Sequence, residues 1–121
     1  MLRVLLAEDD IDIQRVARLA LRRVDFEVTV ADNGVEALAH VVSMRPDVIL
    51  LDWMMPEMDG LETCRRLKAD AITRDIPIIF LTARSQESEI NQGLALGAIG
   101  YVTKPFDVLT LGLLVRDLLH R

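Results

Sequence analysis

Aromatic side chains make up only 4% of these 121 residues, so the core must be built from Leu, Ile, Val and Ala. Cysteine occurs once, at Cys64, which rules out an internal disulfide and fits a reducing cytoplasmic setting. A lone thiol in a helical stretch reads as a small core residue. No run approaches the ~18 apolar residues of a membrane span, and no basic segment precedes an apolar one as in an export signal. A basic excess is missing as well. Fourteen Lys and Arg against 19 Asp and Glu leave a net charge of −5, which argues against direct contact with nucleic acid. Repeats, low-complexity segments and interdomain linkers are also lacking.

What the sequence does have is apolar content, at 51%, in short runs. That excludes intrinsic disorder and, at this length, supports a single domain over residues 1–121. A first strand, Leu2–Ala7, runs into the acids Glu8, Asp9 and Asp10. A helix follows with Ile13, Val16, Ala17, Ala20 and Val24 at the spacing of a buried face, capped by Asp10 or Asp12. Phe26–Ala31 alternates apolar and polar, as an edge strand would. After the turn Asp32-Asn33-Gly34, a second helix is expected to bury Val35, Leu38, Ala39 and Val42, and Arg45-Pro46 ends it.

Val48–Leu51 is an unbroken branched run between acids, the pattern of a strand covered on both faces, and Asp52 stands where it emerges. Beyond Pro56 and the turn signal Asp59-Gly60, a third helix turns Leu61, Cys64 and Leu67 inward and Arg65, Arg66 and Lys68 outward. A fourth strand covers Ile76–Leu81 and ends in Thr82-Ala83. Ser85 is its following helix's expected N-cap, with Glu87 and Glu89 near the positive end of that helix. This fourth helix carries Ile90, Leu94 and Gly97, with Gly93 weakening it. The fifth strand is Ile99–Thr103, closed by Lys104-Pro105-Phe106, and the last helix begins near Asp107. Five βα units imply an α/β, doubly wound parallel sheet with right-handed crossovers. In the order 2-1-3-4-5, the crevice at the strands' carboxyl ends lies between strands one and three.

The residues at those carboxyl ends are Glu8, Asp9, Asp52, Thr82 and Lys104. Singly, each has an ordinary reading: helix caps, a loop cap, a turn hydroxyl, a solvated surface charge. Jointly they form a constellation. Two carboxylates ~5 Å apart at an effective dielectric of ~20 repel by ~3 kcal/mol, so three require protonation or a bound cation. All-oxygen ligands with room for water suit Mg²⁺, and Mn²⁺ can substitute. One Mg²⁺ and Lys104 neutralise the three acids. An anionic phosphoryl group would then fit between cation and lysine, with the Thr82 hydroxyl as a donor, and a carboxylate can accept it as an aspartyl-phosphate.

Four stretches carry a family resemblance: Val4-Leu5-Leu6-Ala7-Glu8-Asp9-Asp10, Leu51-Asp52-Trp53-Met54-Met55-Pro56-Glu57-Met58-Asp59-Gly60, Leu81-Thr82-Ala83 and Tyr101-Val102-Thr103-Lys104-Pro105-Phe106. In order and over essentially the whole chain, they resemble the receiver domains of bacterial two-component response regulators. The resemblance implies a flavodoxin-like (βα)5 three-layer sandwich, standing alone or as the N-terminal part of a longer regulator. It implies that Asp52 accepts phosphate from the phosphohistidine of a sensor histidine kinase or phosphotransfer protein. Asp9, Asp52 and the Met54 backbone carbonyl would ligate Mg²⁺, with Glu8 acting through a water. Lys104 and Thr82 would contact phosphoryl oxygens, the Lys104–Pro105 peptide would be cis, and Tyr101 would turn inward as Thr82 moves.

Two other functions are weaker. An aspartyl-phosphate hydrolase would want a second acid two residues after the nucleophile, where Met54 stands. A flavin or nucleotide module would want a glycine-rich loop after strand one, where acids stand. Met54 cannot orient a water, so a phosphoryl group on Asp52 should persist. In the last helix, Val108, Leu109, Leu111, Leu113, Leu114, Val115, Leu118 and Leu119 exceed what an apolar stripe ~100° wide can bury. Some leucines should remain exposed, and the fourth helix, fifth strand and fifth helix form a candidate surface for a homodimer or output partner.

Overall fold

The computed structural model describes residues 1–83 and 87–120. Within them, strand and helix alternate as β1 (Arg3–Ala7), α1 (Ile11–Arg22), β2 (Glu27–Ala31), α2 (Gly34–Met44), β3 (Val48–Asp52), α3 (Gly60–Ala69), β4 (Ile78–Thr82), α4 (Glu87–Ala95), β5 (Gly100–Thr103) and α5 (Leu111–Leu119). The strands form one parallel sheet in the order β2-β1-β3-β4-β5, as the sequence predicts. Ser85, the expected cap of α4, lies outside the described residues.

Two-residue strand periodicity sorts the core into two layers. Val4, Leu6, Val48, Leu50, Ile79 and Leu81 face one side, where Ala17, Ala20 and Leu21 of α1 and Leu111 and Val115 of α5 cover them. Leu5, Ala7, Ile49, Leu51, Ile78 and Phe80 face the other, under Ala37 and Val41 of α2 and Cys64 and Leu67 of α3. The central strands β3 and β4 are buried along their whole length, whereas the edge strand β2 is only partly covered. Cys64 is a buried free thiol.

Three helix predictions need correction. In α2 the buried residues are Gly34, Ala37, Val41 and Met44, while Val35 and Val42 are exposed and Leu38 is half-buried. Apolar residues surround this helix, so periodicity cannot choose a face. The Asn33 cap, whose side chain accepts from Glu36 N–H at 2.9 Å, sets the phase. In α5 the helix begins at Leu111 rather than near Asp107. Asp107 caps a preceding turn, its carboxylate accepting from Leu109 N–H at 2.6 Å and its carbonyl from Thr110 and Leu111. In α4 the buried residue is Gly93, while Leu94 is exposed and Gly97 lies past the helix end at φ +105°.

Elsewhere capping follows the sequence. Asp10, not Asp12, caps α1, accepting from the N–H groups of Asp12 and Ile13. Asp59 caps α3 through Glu62 N–H. Gly60 then abuts the β3 terminus so closely that a Cβ there would stand 2.2 Å from the Asp52 carbonyl oxygen. Only glycine allows α3 to start against the strand that carries Asp52.

Candidate functional site

Strand register gathers the candidate residues. Ala7 pairs with Leu51, Asp52 with Leu81, and Thr82 with Thr103. The strands therefore end almost level, and Glu8, Asp52, Thr82 and Lys104 meet along one edge of the sheet. The ladder continues just past the strands, with Trp53 N–H donating to Leu81 at 2.9 Å and Lys104 N–H to Thr82 at 2.7 Å.

The Lys104 ammonium sits 2.9 Å from Glu8 Oε1 and 2.9 Å from Asp52 Oδ1, bridging two acids that are almost wholly buried. The other Glu8 oxygen accepts from Asp10 N–H at 3.0 Å. Asp9 is exposed beside them, and oxygens of Glu8, Asp9 and Asp52 all lie within 4.8 Å of one another. Thr82 is buried at the end of β4 and lines the same open cleft of about 470 Å³. Every polar residue expected at the strand ends is thus brought together.

Charge in this cleft is not balanced. Burial pushes the Glu8 carboxyl up to about 7, with the nearby Asp52 charge adding to it, against the lowering effects of Asp10 N–H and Lys104. Burial likewise raises Asp52, although hydrogen bonds from Lys104 and the Met54 backbone N–H work the other way. Burial opposes the charge on Lys104, but its bonds to Asp52 and Glu8 prevail and hold it cationic. One ammonium does not compensate three ionised carboxylates, so the excess charge is relieved either by protonation, toward which burial pushes Glu8 and Asp52, or by a further cation. The donors are all oxygen, and exposed Asp9 leaves an open side for water, as Mg²⁺ or Mn²⁺ requires.

The sequence matches the model of the response regulator receiver domain over residues 4–116. The chain belongs to that family. It is 46% identical over 103 residues to the phosphate regulon transcriptional regulatory protein PhoB of Pseudomonas aeruginosa, covering 85% of this chain and 45% of PhoB. It is 40% identical over 121 residues to the DNA-binding dual master transcriptional regulator RpaA of Synechocystis, covering all of this chain and 50% of RpaA. The chain therefore spans about half the length of these curated relatives. Among solved structures, chemotaxis protein CheY4 of Vibrio cholerae superposes with a TM-score of 0.91 at 33% identity, over 98% of each chain. The Mn²⁺-bound form of response regulator Rcp1 has a TM-score of 0.83 at 26% identity, over 97% of this chain and 91% of Rcp1.

In this receiver domain the Lys104–Pro105 peptide is cis. Met54 projects its side chain into solvent at the mouth of the cleft, 73% exposed. Tyr101 on β5 is partly exposed and shares a small cavity of about 10 Å³ with Thr82, Trp53 and Phe80. Sequence reasoning passed over two contributors. Trp53 packs edge-on against Phe80, with centroids 5.0 Å apart, and walls the cleft. Gln14 ties the acidic loop to its neighbour, although nothing in its helical spacing singles it out. Among the described residues no helix is long and apolar enough to cross a membrane.

Proposed function

We propose that this receiver domain is a cytoplasmic, phosphorylation-driven signalling switch with Asp52 as phosphoacceptor, and not a turnover enzyme. The observation that carries this reading is the Lys104 ammonium held between Glu8 and Asp52 in a cleft whose third acid is Asp9. Asp9, Asp52 and the Met54 carbonyl would hold Mg²⁺, or Mn²⁺ in its place, with Glu8 acting through a water. The bound cation supplies charge neutralisation for the phosphoryl oxygens.

The donor is the phosphohistidine of a sensor histidine kinase or phosphotransfer protein. An Asp52 oxygen attacks phosphorus, a P–O bond forms, and the P–N bond breaks with its electron pair leaving on the imidazole. Lys104 turns from the carboxylate to a phosphoryl oxygen, and the Thr82 hydroxyl donates to another. Burial of the Asp52 carboxylate strips water from the nucleophile and keeps the reaction in a region where these charges act strongly. Tyr101 turns inward as Thr82 moves, and the two already line one small gap beside Trp53 and Phe80.

The output lies on α4, β5 and α5. Leu94, Ile99, Tyr101 and Leu114 are all partly exposed there and border a shallow cleft of about 350 Å³. This face serves a homodimer or another output partner. DNA contact, named for RpaA, lies outside the role we assign to this acidic domain, whose net charge is −5.

Acetyl phosphate with Mg²⁺ tests the reading. The parent chain gains one acid-labile phosphoryl group, the gain vanishes with a chelator, and Asp52→Asn takes up none. Equal labelling of Asp52→Asn would overturn it.

A further inference from the structure

Gln14 closes the first turn of α1, and its side-chain amide spans two loops. Nε2 donates to the backbone carbonyl of Glu8 at 2.5 Å and to Oδ1 of Asp32 at 2.9 Å. A carbonyl and a carboxylate are both acceptors, so chemistry fixes the nitrogen, and not the amide oxygen, on this side. The two N–H groups of one primary amide are thereby both used. Asp32 is itself held, its N–H donating to Glu36 Oε1 at 3.3 Å, and Glu8 N–H donates to Ala31 at 3.0 Å. Glu8 is thus pinned at both its backbone groups, on one side through the sheet and on the other through Gln14.

The held carbonyl belongs to the peptide that joins Glu8 to Asp9. A peptide unit is planar, so fixing its C=O also fixes its N–H and the direction in which the Asp9 Cα leaves. Asp9 is the exposed member of the acid cluster, and among the described residues no hydrogen bond or ion pair holds its side chain in place. Its carboxylate can be aimed only through its backbone.

We propose that Gln14 is a positioning residue that aims Asp9 at the cation site, acting through the Glu8–Asp9 peptide and anchored on Asp32. This rests on the reading of Glu8, Asp9 and Asp52 as a Mg²⁺ site. Mg²⁺ demands near-octahedral ligands at short range, whereas Ca²⁺ tolerates irregular ones. Loss of aim therefore weakens Mg²⁺ more than Ca²⁺, a selectivity change that simple loosening of the fold would not produce.

Trp53 is the only tryptophan and follows Asp52 directly, so its fluorescence can report cation binding without phosphorylation. Titrate the full chain with Mg²⁺ and separately with Ca²⁺, as parent, as Gln14→Met, which keeps the length and removes the donors, and as Gln14→Asn, which keeps the amide but shortens its reach. Both variants should bind Mg²⁺ about tenfold more weakly, the usual scale for losing a group that orients a metal ligand, with Ca²⁺ affinity changed less than about threefold. Unchanged Mg²⁺ affinity, or equal loss for both cations, overturns the positioning role. A parent that binds no Mg²⁺ would instead overturn the site reading itself.

Discussion

Glu8 is the residue whose environment departs furthest from its ordinary chemistry. Its carboxyl moves from 4.5 to about 7, chiefly through burial. Between those values the folded chain keeps a proton that the unfolded chain releases, so without divalent cation stability falls as pH rises through that window. Glu8→Gln should flatten this slope and raise cation-free stability at pH 8 by about 2 kcal/mol, because one buried charge disappears while Lys104 keeps Asp52 at 2.9 Å. Urea unfolding at pH 5, 6, 7 and 8 checks both, and an unchanged slope would contradict the assignment. Met54 offers a kinetic prediction at the same scale. Its exposed thioether cannot hold a water, so Met54→Asn should shorten the lifetime of phosphorylated Asp52 by about tenfold, as a placed polar group permits. Phosphate release over time measures this, and equal or slower decay in the variant would count against it. Site residues were legible because acids, a hydroxyl and a lysine are unusual directly after buried strands. Gln14 was not, because its role depends on two acceptors, at Glu8 and Asp32, that only folding brings to it.

At the scale of elements, strands were easier to read than helix faces. Val48–Leu51 and Ile78–Leu81 are continuous apolar runs, rich in branched residues, whose two-sided burial follows from composition. Apolar residues surround α2 and so leave its face undetermined, and the small residues that pack closest carry little hydrophobic signal. Gly93 makes this concrete. In the sequence it is a defect in α4, but a Cβ there would stand 2.8 Å from the Phe80 ring and 3.5 Å from that of Trp53. Gly93→Ala therefore gains about 1 kcal/mol of helix propensity and loses more by overpacking a buried ring. A net destabilisation of about 1 kcal/mol should appear in denaturant unfolding, with a shift in Trp53 emission as α4 is pushed outward. A stabilised variant with unchanged emission would mean that α4 does not rest on this pair.

For the molecule as a whole, the parallel sheet places every strand's carboxyl end on one edge and the apolar surface of α4, β5 and α5 beside it. Tyr101 belongs to both, lining the cavity with Thr82 and the outer cleft with Leu114. Phosphorylation should therefore promote self-association, and sedimentation of the chain with and without acetyl phosphate and Mg²⁺ tests it; a monomer under both conditions would contradict a homodimer on this face. The most direct measurement of the central claim is borohydride trapping after treatment with phosphodonor and Mg²⁺, which reduces an acyl phosphate to an alcohol and marks the modified residue. Peptide mapping should find homoserine at position 52 and nowhere else. Homoserine in place of Asp9, or at no position despite phosphoryl uptake, would contradict the account.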